Sequence, residues 1–207
     1  MSKFITLEGI EGVGKTSNLR FIETLLREAG HDCVVTREPG GTELGEALRE
    51  LLLQHREPPM SANTELLLMF AARAEHLDKL VLPALGQNKM VLCDRFTEAT
   101  YAYQGCGREL GEDRIARLED WVQGDLRPDL TIVLDAPVAV GRSRAGRRSA
   151  PDRIEKEQDD FFERVRNGYR RMAERYPQRI ALVDASLPLA QVQTQIKRVL
   201  LDYEILQ

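Results

Sequence analysis

Residues 9–16 of the chain read GIEGVGKT, a full match to the pattern GxxxxGK[ST]. The match follows an apolar run at residues 4–7 and precedes a helical stretch from about Thr16 to Ala29, which Gly30 ends. A phosphate-binding loop requires this strand–loop–helix context, because its backbone N–H groups and the helix N-terminus together attract phosphate. We therefore expect a nucleoside triphosphate to bind at Gly9, Ile10, Glu11, Gly12, Val13, Gly14, Lys15, Thr16 and Ser17.

Two side chains of this loop carry specific chemistry. Lys15 is long enough to reach the β- and γ-phosphates, and the Thr16 hydroxyl can ligate Mg²⁺. The rival dinucleotide fingerprint GxGxxG fails, since Ser17 stands where its last glycine belongs. The loop predicts binding of a triphosphate but leaves open what is done with it.

Apolar runs alternate with helical segments along the rest of the chain. The runs are residues 4–7, 33–36, 90–93, 130–134 and 180–183, and helical periodicity is clearest at 63–85, 112–123, 158–176 and 189–201. Runs that are apolar throughout are typical of strands buried on both faces of a parallel sheet. The pattern predicts an α/β fold of the P-loop NTPase type, with a doubly wound, five-stranded parallel sheet flanked by helices. At 207 residues, we expect one domain spanning residues 1–207.

One stretch differs in composition from the rest. Residues 142–153 read RSRAGRRSAPDR and lie between the fourth strand and a long helix. A stretch of this kind inside a compact domain is usually a functional lid or a surface loop. We expect an arginine-rich lid here, with Arg142, Arg144, Arg147, Arg148 and Arg153 as its cations.

Composition and charge exclude several classes of function. The chain has 33 acidic and 29 basic residues, so its net charge of −4 gives no bulk attraction to nucleic acid or to an anionic membrane. We see no signal peptide and no window of 18 apolar residues. The three cysteines lack CxxC spacing, and the three histidines lack metal-ligand spacing. These features predict a cytoplasmic protein without a disulfide framework and with no nucleic-acid or membrane partner.

Charged residues follow the ends of three predicted strands. Arg37, Asp94, Arg95 and Asp135 come directly after or at these ends. Ligands of such sheets bind beyond the carboxyl ends of the strands, so these side chains should converge near the triphosphate. Because the arginine fork suits phosphate, two arginines there indicate a second, phosphorylated substrate.

Two helical pairs are weaker signals. Phe70 and Arg73 are three residues apart, and Thr100 and Gln104 are four apart, so each pair shares a helix face. An aromatic ring beside a guanidinium could stack on a base and read its edge. From spacing alone, however, Phe70 is better interpreted as a core residue and Arg73 as a surface residue.

Taken together, the motifs resemble a known family. LEGIEGVGKT, TREPGGT, the Asp-Arg-aromatic triplet at 94–96, TYAYQG and DRIEKEQDDFF are similar to the motifs of bacterial thymidylate kinases (dTMP kinases). They are spread from residue 4 to about residue 185. The resemblance implies transfer of the γ-phosphoryl group of Mg-ATP to dTMP, giving dTDP and ADP for dTTP biosynthesis. It also implies a homodimer formed through helices.

The resemblance implies roles for individual residues. Arg37 and Arg95 would hold the dTMP phosphate, and Glu11 would contact its 3′-hydroxyl. Phe70 would stack on thymine, while Tyr103 would crowd the sugar 2′ position. The base edge would be read by Arg73, Thr100 and Gln104.

The resemblance also assigns the catalytic groups. Lys15, Arg95, Asp94 and Glu11 would lie around the transferred group, with Mg²⁺ near Thr16 and Asp94. No basic residue stands among the variable loop positions, so the catalytic arginine should come from the lid. Arg148 matches it best, and Arg153 is a second candidate.

Two other functions stay open at this point. A deoxynucleoside kinase would phosphorylate a hydroxyl and would need a carboxylate base, for which Glu38 is available. A nucleotide-binding switch or scaffold would bind ATP without turnover. The paired arginines Arg37 and Arg95 count against the first, and the arginine lid counts against the second.

Overall fold

The computed structural model describes residues 2–145 and 152–206, and its centre is a parallel sheet of five strands. The strand order is β2-β3-β1-β4-β5, and every neighbouring pair is parallel. This confirms the predicted sheet. The strands are β1 (Phe4–Glu8), β2 (Cys33–Arg37), β3 (Met90–Asp94), β4 (Leu130–Asp135) and β5 (Ile180–Asp184).

Nine α-helices are found in the described part of the chain. The predicted segments at 112–123, 158–176 and 189–201 are helical with bounds that shift by at most one residue. The helices are α1 (Lys15–Glu28), α2 (Glu43–Leu53), α3 (Ala62–His76), α4 (Leu82–Gly86), α5 (Thr97–Thr100), α6 (Glu112–Gln123), α7 (Val138–Ala145), α8 (Asp159–Arg175) and α9 (Leu189–Asp202).

Two π-helical turns interrupt this pattern. Leu77–Val81 joins α3 to α4, and Tyr101–Gly107 continues α5. The predicted helix over 63–85 is therefore continuous but widened in its middle. Wider turns of this kind occur often at functional sites, because they shift which side chains share a face.

The sheet is buried because its strands are apolar on both faces. All five residues of β1 are buried, and β4 is buried along all but its last residue. The main core joins these strands to α1, α8 and α9, whereas a second cluster packs β3 against the helix around Leu77. Thr42 and Ser61 cap α2 and α3 by accepting a backbone N–H each, which fixes where these helices begin.

The carboxyl end of β1 lies between those of β3 and β4. Leu7 is paired with Asp94 on one side and with Ile132 on the other. Gly9 then passes so close to β4 that a Cβ would lie 2.6 Å from the carbonyl oxygen of Leu134. Glycine is needed there, and its φ of 135° is one that other residues rarely adopt. The phosphate loop is thereby held at the crevice where ligands of such sheets bind.

Cysteines and histidines are placed as follows. The three cysteines are free, and Cys33 and Cys93 are core residues. His76 is fully buried and hydrogen-bonded. Residues 2–145 and 152–206 contain no cluster of three or more metal-ligating His, Cys, Asp or Glu residues. They also contain no helix long and apolar enough to cross a membrane.

Candidate active site

A cavity of about 300 Å³ opens at the carboxyl end of the sheet, beside the phosphate loop. Its walls come from the loop, from the segment after β2, from α2 and α3, from the triplet after β3, and from residues 152–155. The lining residues are Glu11, Gly12, Gly14, Lys15, Thr16, Glu38, Pro39, Arg49, Leu52, Leu53, Met69, Asp94, Arg95, Ala99, Tyr103, Gln104, Asp152, Ile154 and Glu155. Of the residues expected to bind ligand from outside the phosphate loop, Asp94, Arg95, Tyr103 and Gln104 lie on this wall, whereas Arg37, Phe70, Arg73 and Thr100 do not.

Lys15 lies at the first turn of α1 and folds back over the phosphate loop. Its Nζ donates hydrogen bonds to the carbonyl oxygens of Gly9 and Ile10, each at 3.0 Å. Burial, with the positive charge of Arg95 nearby, lowers the pKa of Lys15 to about 8. Anionic phosphate oxygens beside this ammonium group would favour its charged form.

Arg95, Glu11 and Tyr103 form one polar cluster on the cavity wall. Arg95 Nη2 donates to Glu11 Oε1 at 2.7 Å, and the Tyr103 hydroxyl donates to the same carboxylate at 2.9 and 3.0 Å. The guanidinium carbon lies 4.8 Å from the centre of the Tyr103 ring. Arg95 Nη1 is buried without a partner, so it is a donor that a ligand oxygen could satisfy.

Glu8, at the end of β1, holds the triplet that carries Arg95. Its Oε1 accepts the backbone N–H of Phe96 at 2.7 Å, and its Oε2 accepts the Tyr169 hydroxyl at 2.7 Å. Burial, followed by the nearby charge of Glu98, raises the pKa of Glu8 to about 8. Arg95 itself has a φ of 68°, which is strained for a residue with a side chain. The Glu8 bond to the next residue helps to maintain this backbone conformation.

Two oxygen ligands suited to Mg²⁺ lie on the same cavity. Thr16 contributes a hydroxyl, and Asp94 contributes a carboxylate whose Oδ1 is buried without a hydrogen-bond partner. Mg²⁺ is commonly held by one or two protein oxygens together with phosphate oxygens and water, so a larger ligand cluster is not required. The donor set therefore fits this metal.

Arg73 is wholly buried, so the surface position that spacing alone favours is wrong. Its Nε donates to Glu38 Oε2 at 2.8 Å and its Nη2 donates to Thr100 Oγ1 at 2.9 Å, while Nη1 has no partner. Burial of a guanidinium is tolerated because Glu38 neutralises it and two aromatic rings flank it at 4.9 Å.

Gln104 complements Arg73 with an acceptor. Its Nε2 donates to Glu65 Oε1 at 2.7 Å. A carboxylate only accepts hydrogen bonds, so the amide nitrogen must face Glu65 and the amide oxygen must face away. That oxygen is buried and has no partner. Gln104 therefore offers a free acceptor on the cavity wall, and Arg73, which does not line the cavity itself, keeps a free donor on the neighbouring helix α3.

Phe70 is a core residue, as its spacing indicates, with only 2% of its surface exposed. Its ring packs against Arg73 and does not line the cavity. The side chain of α3 that does line the cavity is Met69. The structure thus does not bring the predicted stacking ring to the wall.

Two other residues of the expected cluster lie elsewhere. Arg37 is half-exposed, is absent from the cavity wall, and forms a 2.7 Å ion pair with Glu46. Asp135 also does not line the cavity, because Arg166 binds both of its oxygens, at 2.7 and 3.0 Å. Of the four charged residues expected to converge, Asp94 and Arg95 lie on the cavity wall with the phosphate loop, whereas Arg37 and Asp135 do not.

Several wall residues were missed by the sequence analysis. The most important is Arg49, which lies on α2 and donates to the Pro39 carbonyl oxygen at 3.0 Å. Its signal was available, since positions 49, 52 and 53 share one helix face. Met69, Asp152 and Glu155 were also not selected as ligand-binding residues.

Three of the five lid arginines lie in the part of the chain that the structure describes. Arg142 contacts Glu157 and Asp159, and Arg144 donates to the carbonyl oxygens of Ala185 and Ser186 at 2.7 and 3.1 Å. Arg153 donates to Leu52 O at 3.0 Å and forms a 2.7 Å ion pair with Glu65 Oε2, so its charge is already paired. The remaining two, Arg147 and Arg148, lie outside the described residues.

Comparison with known proteins gives a consistent result. A family model described as "Thymidylate kinase" matches residues 7–196. The chain is 59% identical to a thymidylate kinase of Alkalilimnicola ehrlichii, covering 96% of this chain and 92% of that protein. It is 58% identical to a thymidylate kinase of Teredinibacter turnerae, covering 96% of this chain and 97% of that protein. Among solved structures, thymidylate kinase from Ehrlichia chaffeensis superposes with a TM-score of 0.77 at 35% identity, covering 96% and 98% of the two chains.

Proposed function

Because the chain belongs to the thymidylate kinase family, we propose that it transfers the γ-phosphoryl group of Mg-ATP to dTMP, giving dTDP and ADP for dTTP biosynthesis. The observation that carries the proposal is a pair of buried, unpartnered groups: Gln104 Oε1, an acceptor on the wall that the phosphate loop also lines, and Arg73 Nη1, a donor on the helix that supplies Met69 to that wall.

This pair matches one edge of thymine. The thymine edge offers the O4 carbonyl as an acceptor and N3–H as a donor, whereas cytosine offers an amino donor and an N3 acceptor. A buried donor and a buried acceptor that find no partner cost about 1–3 kcal/mol each, so a base of the wrong pattern is strongly disfavoured. Met69, Leu52 and Leu53 would provide apolar contact for the ring.

The phosphate of dTMP would be bound by arginines. Arg95 offers its unpartnered Nη1, and Arg49 lies on the same wall. Arg37, which the family resemblance assigns to this phosphate, would have to leave Glu46 to reach it. Glu11 would accept the sugar 3′-hydroxyl, with Tyr103 holding this carboxylate in place.

Catalysis would rest on positioning and charge neutralisation. The acceptor phosphate is already anionic at neutral pH, so no strong base is needed. Mg²⁺ held by Thr16 and Asp94 would neutralise charge on the donor phosphates. Lys15 would bind the β- and γ-phosphates, and a lid arginine, best matched by Arg148 in the sequence, would stabilise the transferring group.

A deoxynucleoside kinase is the nearest alternative, and one observation weighs against it. Glu38 would be the base for a hydroxyl acceptor, yet both of its oxygens are engaged, by Arg73 and by His76 at 2.8 Å each. Neither oxygen is therefore free to accept a proton from a substrate hydroxyl without losing one of these bonds. The Arg95 donor would also lack an acceptor phosphate.

We also propose that the protein is a homodimer and works in the cytoplasm. Trp121 on α6 has 82% of its surface exposed and Leu67 on α3 has 58% exposed, and these two helices pack on each other. The family resemblance implies a dimer through helices, and exposed apolar side chains on packed helices suit such an interface. The free cysteines fit a reducing compartment.

The test is ADP release from Mg-ATP with dTMP, dUMP, UMP, dCMP, AMP and thymidine as separate acceptors. Strong preference for dTMP supports the proposal. Turnover with thymidine but not dTMP would establish a hydroxyl acceptor. Faster turnover with dCMP than with dTMP would refute base recognition by Arg73 and Gln104. Lys15→Ala is the matched control, since it removes the phosphate-loop ammonium and should abolish turnover with every acceptor.

A further inference from the structure

His76 lies one turn beyond Arg73 on α3 and is buried with no exposed surface. Its Nδ1 is 2.8 Å from Glu38 Oε1, and its Nε2 is 2.8 Å from Thr36 Oγ1. Since a carboxylate accepts only, Nδ1 carries the hydrogen and donates it to Glu38. Thr36, His76, Glu38 and Arg73 therefore form one continuous buried chain of hydrogen bonds.

The geometry between Glu38 and Arg73 is unusual for such a pair. Arginine and carboxylate groups often bind through two parallel hydrogen bonds, here from Nε and Nη2 to the two carboxylate oxygens. In this structure only Nε bonds to Glu38, while Nη2 bonds to Thr100 instead. The second oxygen of Glu38, Oε1, accepts from His76 instead.

The consequence concerns the free nitrogen of Arg73. With Nε fixed by Glu38 and Nη2 fixed by Thr100, Nη1 is left as the guanidinium nitrogen without a partner. Without the His76 bond, Glu38 would be free to turn toward Nη2 and pull it from Thr100, which would change the orientation of the guanidinium. The bond from His76 opposes this rotation, and His76 itself does not line the cavity.

The backbone near His76 is shaped to permit the contact. Gly41 has a φ of 83°, and a Cβ there would lie 2.6 Å from Thr36 Oγ1 and 2.9 Å from His76 Nε2. A side chain at this position would separate the two groups. The glycine thus keeps open the space in which His76 reaches Thr36.

We propose that His76 is a positioning residue for base recognition: by holding Glu38, it orients Arg73 so that Nη1 selects a base with a carbonyl oxygen over one with an amino group. The inference rests on the proposed function, since it assumes that Arg73 faces the base of a nucleoside monophosphate acceptor. His76 acts only through Glu38 and Arg73 and is not itself a catalytic residue.

The test compares two amides at position 76. In His76→Asn the amide nitrogen takes the place of Nδ1 and still donates to Glu38. In His76→Gln the amide nitrogen takes the place of Nε2, near Thr36, and Glu38 loses its donor. We measure kcat and KM for dTMP and dCMP at saturating Mg-ATP, together with KM for ATP and the melting temperature.

We expect His76→Gln to raise the dTMP KM by about tenfold, the size of one lost hydrogen bond, with kcat little changed. The preference for dTMP over dCMP should fall by a similar factor. His76→Asn should keep both the dTMP KM and the preference for dTMP over dCMP close to their wild-type values. The matched control is Thr6→Val, which removes a buried 2.8 Å hydrogen bond to Thr131 within the sheet and should lower the melting temperature without changing base preference.

Three outcomes would overturn the inference. His76→Gln and His76→Asn could behave alike, kcat could fall while KM stays constant, or dTMP and dCMP could lose efficiency equally. His76→Leu, which lacks any donor, should resemble His76→Gln and replaces it if that variant does not fold. If the unmodified protein does not use dTMP at all, the proposed function fails instead, and this result is distinct from a wild-type enzyme whose preference survives His76→Gln.

Discussion

Replacing Gln104 by methionine tests whether its amide oxygen recognises the base of the acceptor. Methionine keeps the length of the side chain but removes both polar atoms. Glu65 would lose one of its partners, yet Arg108 at 3.3 Å and Arg153 at 2.7 Å would still neutralise it. The main change is therefore the loss of the buried acceptor, Gln104 Oε1.

The size of the effect follows from burial. Thymine N3–H would be desolvated without a partner, which costs about 1–3 kcal/mol and corresponds to a fall of about 5- to 150-fold in kcat/KM for dTMP. For dCMP we expect no fall in kcat/KM, because N3 of cytosine is an acceptor that gains nothing from Gln104 Oε1. Its kcat/KM should stay constant or rise.

The assay is ADP release with dTMP, dUMP and dCMP as acceptors. Wild-type protein and Gln104→Met are compared at one pH, with the melting temperature as a check on folding. We expect dUMP to follow dTMP, since both bases share N3–H and O4. Equal losses for dTMP and dCMP, or a dTMP value that changes by less than about twofold in a folded variant, would refute the reasoning.

Three further predictions concern other parts of the site. Met69→Ala removes three side-chain groups at about 0.8 kcal/mol each, so it should raise the dTMP KM by up to about 50-fold with an unchanged ATP KM; an unchanged dTMP KM would show that Met69 does not contact the base. Arg49→Ala should raise the dTMP KM by about 10- to 100-fold while leaving the inhibition constant of thymidine nearly constant, as expected for a lost phosphate contact; equal effects on both ligands would contradict this. Glu8→Gln should gain stability relative to wild type as the pH rises from about 5 to 8, as measured by melting temperature. The pKa of the Glu8 carboxyl is raised to about 8 in the folded protein, so the folded state binds more protons than the unfolded state between these pH values. The stability of the wild-type protein therefore falls as the pH rises. A difference in melting temperature between the two proteins that does not change with pH would refute the raised pKa of Glu8.

The fold was predictable because its signals are local. Five short apolar runs became the five strands, and the phosphate loop lies between β1 and α1 where its motif requires. Strands buried on both faces need continuous apolar residues, so their sequence is distinctive. The π-helical turn at Tyr101–Gly107 was not predictable, since its residues also suit an ordinary helix.

The site was harder to predict because it depends on contacts between distant segments. Met69 and Phe70 illustrate the limit. Relative to Arg73, an ideal helix places Met69 about 40° away and Phe70 about 60° away, so spacing cannot say which faces the cavity. The decision comes from packing, because Phe70 is held in the cluster with Leu66 and Ile115.

Buried polar chains are equally invisible to local patterns. Arg73 and Glu38 are separated by 35 residues, and His76 and Thr36 by 40. Each charged or polar residue alone is more typical of the surface, and burial becomes favourable only when all of them are paired. Sequence spacing therefore placed Arg73 on the surface and found no role for His76.

The central claim is that a phosphate, not a hydroxyl or water, receives the γ-phosphoryl group. It is tested most directly by incubating the protein with Mg-ATP labelled at the γ-phosphate and dTMP, and identifying the labelled product. The account predicts dTDP with the label in its β-phosphate, and no labelled product with Lys15→Ala. Label found only in inorganic phosphate, or no transfer to dTMP by folded protein that binds ATP, would contradict it.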